Sequence, residues 1–155
     1  MKMFGIQSPT HLLSEIDTAL AEFRTAKGTT FRNLFFLLSG LNHLREWIAP
    51  GYSHKDPADT PNKVFYNSIY HHCPEWKLVN SLCNGLKHFD PYPYSTSDNA
   101  SKLLVNFNSL SGVTSLEHGH PQKFTVKGRD AIDILAAARN YYEKNWFAKQ
   151  GCAKI

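Results

Sequence analysis

Hydrophobic positions recur with a helical period over most of this chain. Leu12, Leu13, Ile16, Leu20 and Phe23 fall three or four residues apart, the spacing that puts side chains on one face of a helix. Ser8 and Pro9 precede them, a capping residue followed by one suited to the first turn, and Gly28 is the expected stop. Thr29 or Thr30 can cap a second helix running to about Ala49, where Pro50 and Gly51 end it. Its apolar residues, from Phe31 through Phe35, Phe36, Leu38, Leu41 and Trp47 to Ile48, cover nearly the whole circumference. A helix greasy all round is expected to be central and surrounded.

Tyr52 to Pro61 is polar and turn-forming and predicts a surface loop. Asn62 to His72 predicts a short helix carrying Val64, Phe65 and Ile69, and Cys73-Pro74 marks its end, since the residue before proline avoids the helical region. From Pro74 a fourth helix presents Leu78, Val79, Leu82, Cys83, Leu86 and Phe89 on one face. Asn80, Asn84, Lys87 and His88 lie opposite, and Asp90-Pro91-Tyr92-Pro93 breaks it. The period then shortens to two at Leu103, Val105 and Phe107 and again at Phe124 and Val126, with Val113 to Glu117 a weaker candidate strand. Asp130 to Lys149 returns to helical spacing through Ala131, Ile134, Leu135, Ala138, Tyr142 and Trp146. The fold expected is mainly α: an antiparallel bundle of about four to five helices, with a two- or three-stranded antiparallel β segment at about 102–127 before the C-terminal helix. No repeat or composition shift divides it, so 1–155 reads as a single domain.

Composition sharpens this picture in a few places. With 155 residues, 42% of them hydrophobic, the chain has enough apolar surface for one core. No apolar run approaches the ~20 residues of a membrane span, and Met1 to Gln7 lacks the order of a signal peptide; a soluble, cytoplasmic protein is expected. Cys73, Cys83 and Cys152 form an odd set without paired spacing, which predicts free thiols. A net charge of +4 and a pI near 9.0 favour anionic partners, but the basic residues are scattered, as on an ordinary solvated surface.

The candidate chemistry is polar and sits on two helices. On the second, Arg32, Ser39, His43 and Glu46 fall within roughly 60° of one another, a polar seam on an otherwise apolar element. Such a seam is satisfied by solvent, by an internal salt bridge, or by a ligand. On the fourth, Asn84, Lys87 and His88 share a face at i, i+3 and i+4; that face is either plainly solvated or one where a histidine could exchange protons beside a lysine able to stabilise an anion. Packing of neighbouring helices predicts that His43 and Glu46 lie near Asn84 or His88 in a small polar cluster. His71, His72, Cys73, Cys83, His88, His118 and His120 lack zinc-site spacing, and on a helix Cys83 and His88 point about 140° apart; no metal and no cofactor is expected. Glycine-rich phosphate loops, GxSxG and HExxH are absent from the sequence.

Three segments also carry a family likeness: Asn42-His43-Leu44-Arg45-Glu46-Trp47, Cys73-Pro74-Glu75, and Cys83-Asn84-Gly85-Leu86-Lys87-His88-Phe89. Together, across roughly Thr29 to Asp90 and the closing helix, the chain resembles a group of uncharacterised bacterial proteins of the HEPN-like helical-bundle class. HEPN proteins form antiparallel bundles, often as dimers, and many cleave RNA without metal through an arginine four to six residues before a histidine. The resemblance implies a homodimer or RNA as partner, with no membrane. It also implies an RNA-cleaving site with His88 as acid/base, Lys87 or Arg32 stabilising phosphate charge and Asn84 positioning. The chain departs from the motif, because Ser81, Leu82 and Cys83 stand where the arginine belongs and no other arginine precedes a histidine at that spacing. The departure favours a non-catalytic binding or interaction module over a divergent RNA-cleaving enzyme. An excess of aromatics, Tyr92, Tyr94, Tyr141, Tyr142 and Phe147, is expected on its surface.

Overall fold

Ser8 starts the first helix as its spacing predicts. Its hydroxyl accepts the His11 amide hydrogen at 3.1 Å, and Pro9 takes the first helical position. The computed structural model describes residues 5–25, 27–50, 60–88, 124–126 and 128–152, with the side chains of residues 86–88 and 152 outside that description. Helix α1 spans Pro9–Phe23. It stops five residues before Gly28: Thr29 Oγ1 donates to the Phe23 carbonyl at 2.8 Å and satisfies the helix end. Gly28 itself folds back so tightly that a Cβ there would collide with the Glu22 carbonyl.

Helix α2, Phe31–Ile48, is capped by Thr30, which accepts from the Asn33 amide at 3.2 Å. Helix α3, Pro61–His72, is capped by Thr60, so Pro61 opens a helix rather than closing the loop expected over Tyr52 to Pro61, most of which lies outside the described residues. Cys73 separates α3 from α4, Pro74–His88. A two-residue strand pair follows, β1 Thr125–Val126 and β2 Arg129–Asp130, antiparallel with Thr125 opposite Asp130. The turn between them uses Gly128 at φ +75°, a conformation glycine reaches without a Cβ penalty. The expected strand at Phe124 and Val126 is therefore present over Thr125–Val126, paired with Arg129 and Asp130, the second of which the helical spacing assigns to the start of the last helix. The candidates at Leu103 to Phe107 and Val113 to Glu117 lie outside the described residues. The last helix, α5, begins as Ala131–Tyr142, passes through a π-helical stretch, Glu143–Phe147, and finishes as Ala148–Cys152.

The described residues thus form a mainly helical structure of five helices with a small antiparallel sheet before the last. Helix α2 packs against α1, α3, α4 and α5. Helix α4 runs antiparallel to it: Trp76 near its start meets Leu41, while Leu82 further on shares an apolar crevice with Leu34 and Leu38. Ile16, Leu37, Leu41, Leu44, Ile69, Val79 and Ala138 are fully buried in one continuous core. A two-pronged ion pair from Arg139 to Asp17, 2.6 and 2.7 Å, ties α5 to α1.

Three expectations are corrected. Helix α2 is central but not fully enclosed: Phe31, Phe35 and Phe36 in its N-terminal half remain exposed. Val64 is exposed, and α3 contributes mainly Phe65 and Ile69 to the core. Tyr142 is fully buried rather than superficial, held by Trp76 and Leu41, while Tyr141 and Phe147 pack partly buried against the core.

Candidate functional site

The C-terminal half of α2 faces the antiparallel α4, and a cavity of about 160 Å³ opens between them beside α3. Helix α2 lines it with Asn42, His43, Arg45 and Glu46. Tyr66 comes from α3, and Trp76, Asn80, Cys83 and Asn84 come from successive turns of α4. Amides, charges and aromatic faces make a mostly polar wall.

Asparagines connect the two long helices. Asn84 Nδ2 donates to Asn80 Oδ1 at 3.3 Å, and Asn80 Nδ2 donates to Asn42 Oδ1 at 2.7 Å. Asn42 is 9% exposed, the one buried polar side chain among the described residues. A buried carboxamide without partners would cost a few kcal/mol, and the Asn80 bond removes part of that penalty. On the solvent side, with its proton on Nδ1, His43 donates to Glu46 Oε2 across 3.1 Å. Both residues are substantially exposed, so this pair is worth well under 1 kcal/mol and orients more than it stabilises.

Arg45 forms the wall toward α3. Its Nε donates to the Tyr66 carbonyl at 2.6 Å, and its guanidinium lies 3.6 Å over the Tyr66 ring and 4.8 Å from the Trp76 ring centre. These contacts hold the cation by charge–quadrupole attraction. Behind it, the Trp76 indole N–H is shared between the Leu41 carbonyl, 3.2 Å, and Tyr142 Oη, 2.9 Å, and Tyr142 in turn donates to Leu41 O at 2.8 Å. Burial pushes the Tyr142 phenol far above its ordinary value, with the Trp76 hydrogen bond and the Arg45 charge opposing that rise. Burial likewise raises the Cys73 thiol, which keeps it protonated and a poor nucleophile.

Of the residues singled out in the sequence, His43, Glu46 and Asn84 stand around this one cavity. Arg32 does not: it is exposed on the first turn of α2, about 16 Å along the axis from His43. Ser39 is also outside the lining. Lys87 and His88 end α4 one turn beyond Asn84, and their side chains lie outside the described residues. Sequence reasoning named Asn42 and Arg45 only within the likeness segment, missed Tyr66 and Trp76, read Cys83 only as part of the apolar face and as a rejected metal ligand, and treated Asn80 only as surface. Asn42 left a readable signal, since it sits four residues before Glu46 and extends the seam by about 40°. Trp76 left none, being two residues after a helix-opening proline.

Among the described residues no three histidine, cysteine or acidic side chains gather as a metal site, and no helix is long and apolar enough to cross a membrane. Comparison of the chain with protein-family models, with curated proteins and with solved structures finds no match.

Proposed function

We propose that this protein is a non-catalytic binding module whose cavity between α2, α3 and α4 receives a small polar ligand. The observation that supports this is Asn42: its oxygen accepts from Asn80, while its nitrogen donates to no described residue. The remaining groups favour binding over catalysis. Carboxamides recognise hydrogen-bonding groups but do not exchange protons near neutral pH, and three of them form the centre of the wall. A ligand-observed NMR screen of small acids, amines, amides and sugars tests the reading, run against the parent chain and the Asn84→Leu and Glu46→Ala variants. At least one compound is expected to bind the parent and to weaken about five-fold or more in each variant, the equivalent of one lost hydrogen bond. If every binder tolerates both substitutions, the cavity is not the site.

A second reading, a divergent metal-independent RNA-cleaving enzyme, is favoured by the arrangement of α4, where Asn84 lines the cavity and Lys87 and His88 follow within one turn. His88 would act as acid/base there, Lys87 would stabilise phosphate charge and Asn84 would position the substrate. Incubation with a mixed RNA pool distinguishes the two readings. Cleavage by the parent that His88→Ala abolishes establishes the enzyme, and intact RNA with both proteins removes it.

A further inference from the structure

We infer that the cavity recognises an uncharged amide edge, a C=O beside an N–H as in a primary carboxamide or lactam, and discriminates against the matching carboxylate. This rests on the cavity being a binding site, as proposed above. The three asparagines form a ladder running in one direction: Asn84 gives a hydrogen to Asn80, and Asn80 gives one to Asn42. The ladder ends at Asn42, nine-tenths buried, whose Nδ2 has no acceptor among the described residues. No fully buried side-chain nitrogen or oxygen of the described residues lacks a partner, so this nitrogen keeps some exposure, and Asn42 is part of the cavity lining. The next member of such a series is an oxygen supplied by the ligand.

Glu46 supplies the complementary group. It lies four residues beyond Asn42, and side chains at that spacing are neighbours on one helix face, roughly 5–6 Å apart at Cβ. Its Oε2 is held by His43, and its Oε1 has no donor among the described residues. An amide placed between Asn42 and Glu46 would present its oxygen to the first and its N–H to the second. A carboxylate could satisfy Asn42 but would face the Glu46 charge, and like charges at contact are unfavourable. Arg45 also lines the cavity, but its Nε is already bonded to Tyr66 O and its guanidinium lies over the Tyr66 ring. Size agrees as well: about 160 Å³ is close to the roughly 150 Å³ of an engineered cavity that holds benzene.

The closing experiment titrates the full 15N-labelled chain with benzamide and with benzoate, which share shape but not charge, and follows the side-chain NH2 signals of Asn42, Asn80 and Asn84. Benzamide is expected to shift the Asn42 signal saturably, with a Kd at least ten-fold below that of benzoate. Asn42→Asp, which keeps the shape and the acceptor but removes the donor, should abolish the benzamide-induced shifts of the Asn80 and Asn84 NH2 signals, which that variant retains. The exposed Glu46→Gln variant keeps the test decisive should the buried substitution prevent folding, because removing the charge should bring benzoate within about three-fold of benzamide. Benzoate binding the parent at Asn42 as tightly as benzamide overturns the amide preference and leaves the binding site standing. An unchanged preference in Glu46→Gln also overturns it. If neither compound saturates the Asn42 signal, the inference and the underlying site both fall.

Discussion

Replacing Trp76 with alanine is expected to lower the unfolding free energy by about 3–5 kcal/mol, the usual range for deleting a large buried aromatic. Trp76 is 1% exposed, and its ring meets the edge of Tyr70 at 6.4 Å and the guanidinium of Arg45 at 4.8 Å. Its N–H serves Leu41 O and Tyr142 Oη together. Alanine would leave a void at the point where α2, α4 and α5 converge, and the surrounding helices can fill it only in part. A domain of this length has about 5–15 kcal/mol in total, so roughly a fifth or more of its stability is at stake. Urea unfolding of the parent, Trp76→Ala and Trp76→Phe separates the contributions. Phenylalanine keeps most of the bulk and loses the donor, and should cost about 1–2 kcal/mol. A Trp76→Ala loss below 1 kcal/mol would contradict the burial described for this residue.

Stability is also expected to fall steeply above about pH 10, with Tyr142 as a principal cause. Its phenol is raised by burial from an ordinary value of 10.0, so the folded state holds the proton more tightly than the unfolded chain. Between the two pKa values the unfolded state binds fewer protons, and stability decreases as pH rises. The contribution is fully present below about pH 10 and declines by roughly 1.4 kcal/mol for each pH unit above it. Cys73, also raised by burial from its ordinary 9.0, acts with the same sign and begins about one unit lower. Urea midpoints measured between pH 8 and pH 11.5 should decline less steeply for Tyr142→Phe than for the parent above pH 10. Parallel curves for the two proteins would mean that Tyr142 is accessible to water and titrates normally. At neutral pH the same substitution should cost only about 1 kcal/mol, because Trp76 still donates to Leu41 O.

Both predictions concern residues whose position, more than their type, gives them their roles. Helix starts were legible because they are local chemistry: Ser8 and Thr30 each accept an amide hydrogen three residues ahead, and that geometry depends on nothing further along the chain. The Cys73-Pro74 boundary was legible for the same reason. The apolar stripe of α1 carries its periodicity directly, and Leu12, Leu13, Ile16, Leu20 and Phe23 are all buried. Periodicity overreached on α2, where hydrophobic residues on every side suggested a surrounded helix and the neighbours cover only part of it. Phe31, Phe35 and Phe36 read as core by type but are 44%, 46% and 38% exposed, because how far a side chain is buried depends on how neighbouring elements are placed, which residue type does not encode.

The candidate site divides in the same way. That α2 carries a polar seam including His43 and Glu46, and that α4 carries Asn84 on its polar side, follows from residue order and a period of 3.6. Which groups meet is a matter of helix packing. Asn42 and Asn80 are 38 residues apart and bond because α4 lies antiparallel on α2 at one particular register; Arg32 stands apart because it sits eleven residues, about 16 Å along the axis, from His43. Trp76, Leu41 and Tyr142 converge from three helices, the most distant pair separated by 101 residues. The sequence by itself determined which segments are helices, the Ser8 and Thr30 caps and the apolar stripe of α1, since these depend on interactions within a few residues. Only the tertiary structure decided which polar side chains share a cavity and which tyrosine is buried, because those outcomes depend on the relative placement of elements that no local pattern encodes.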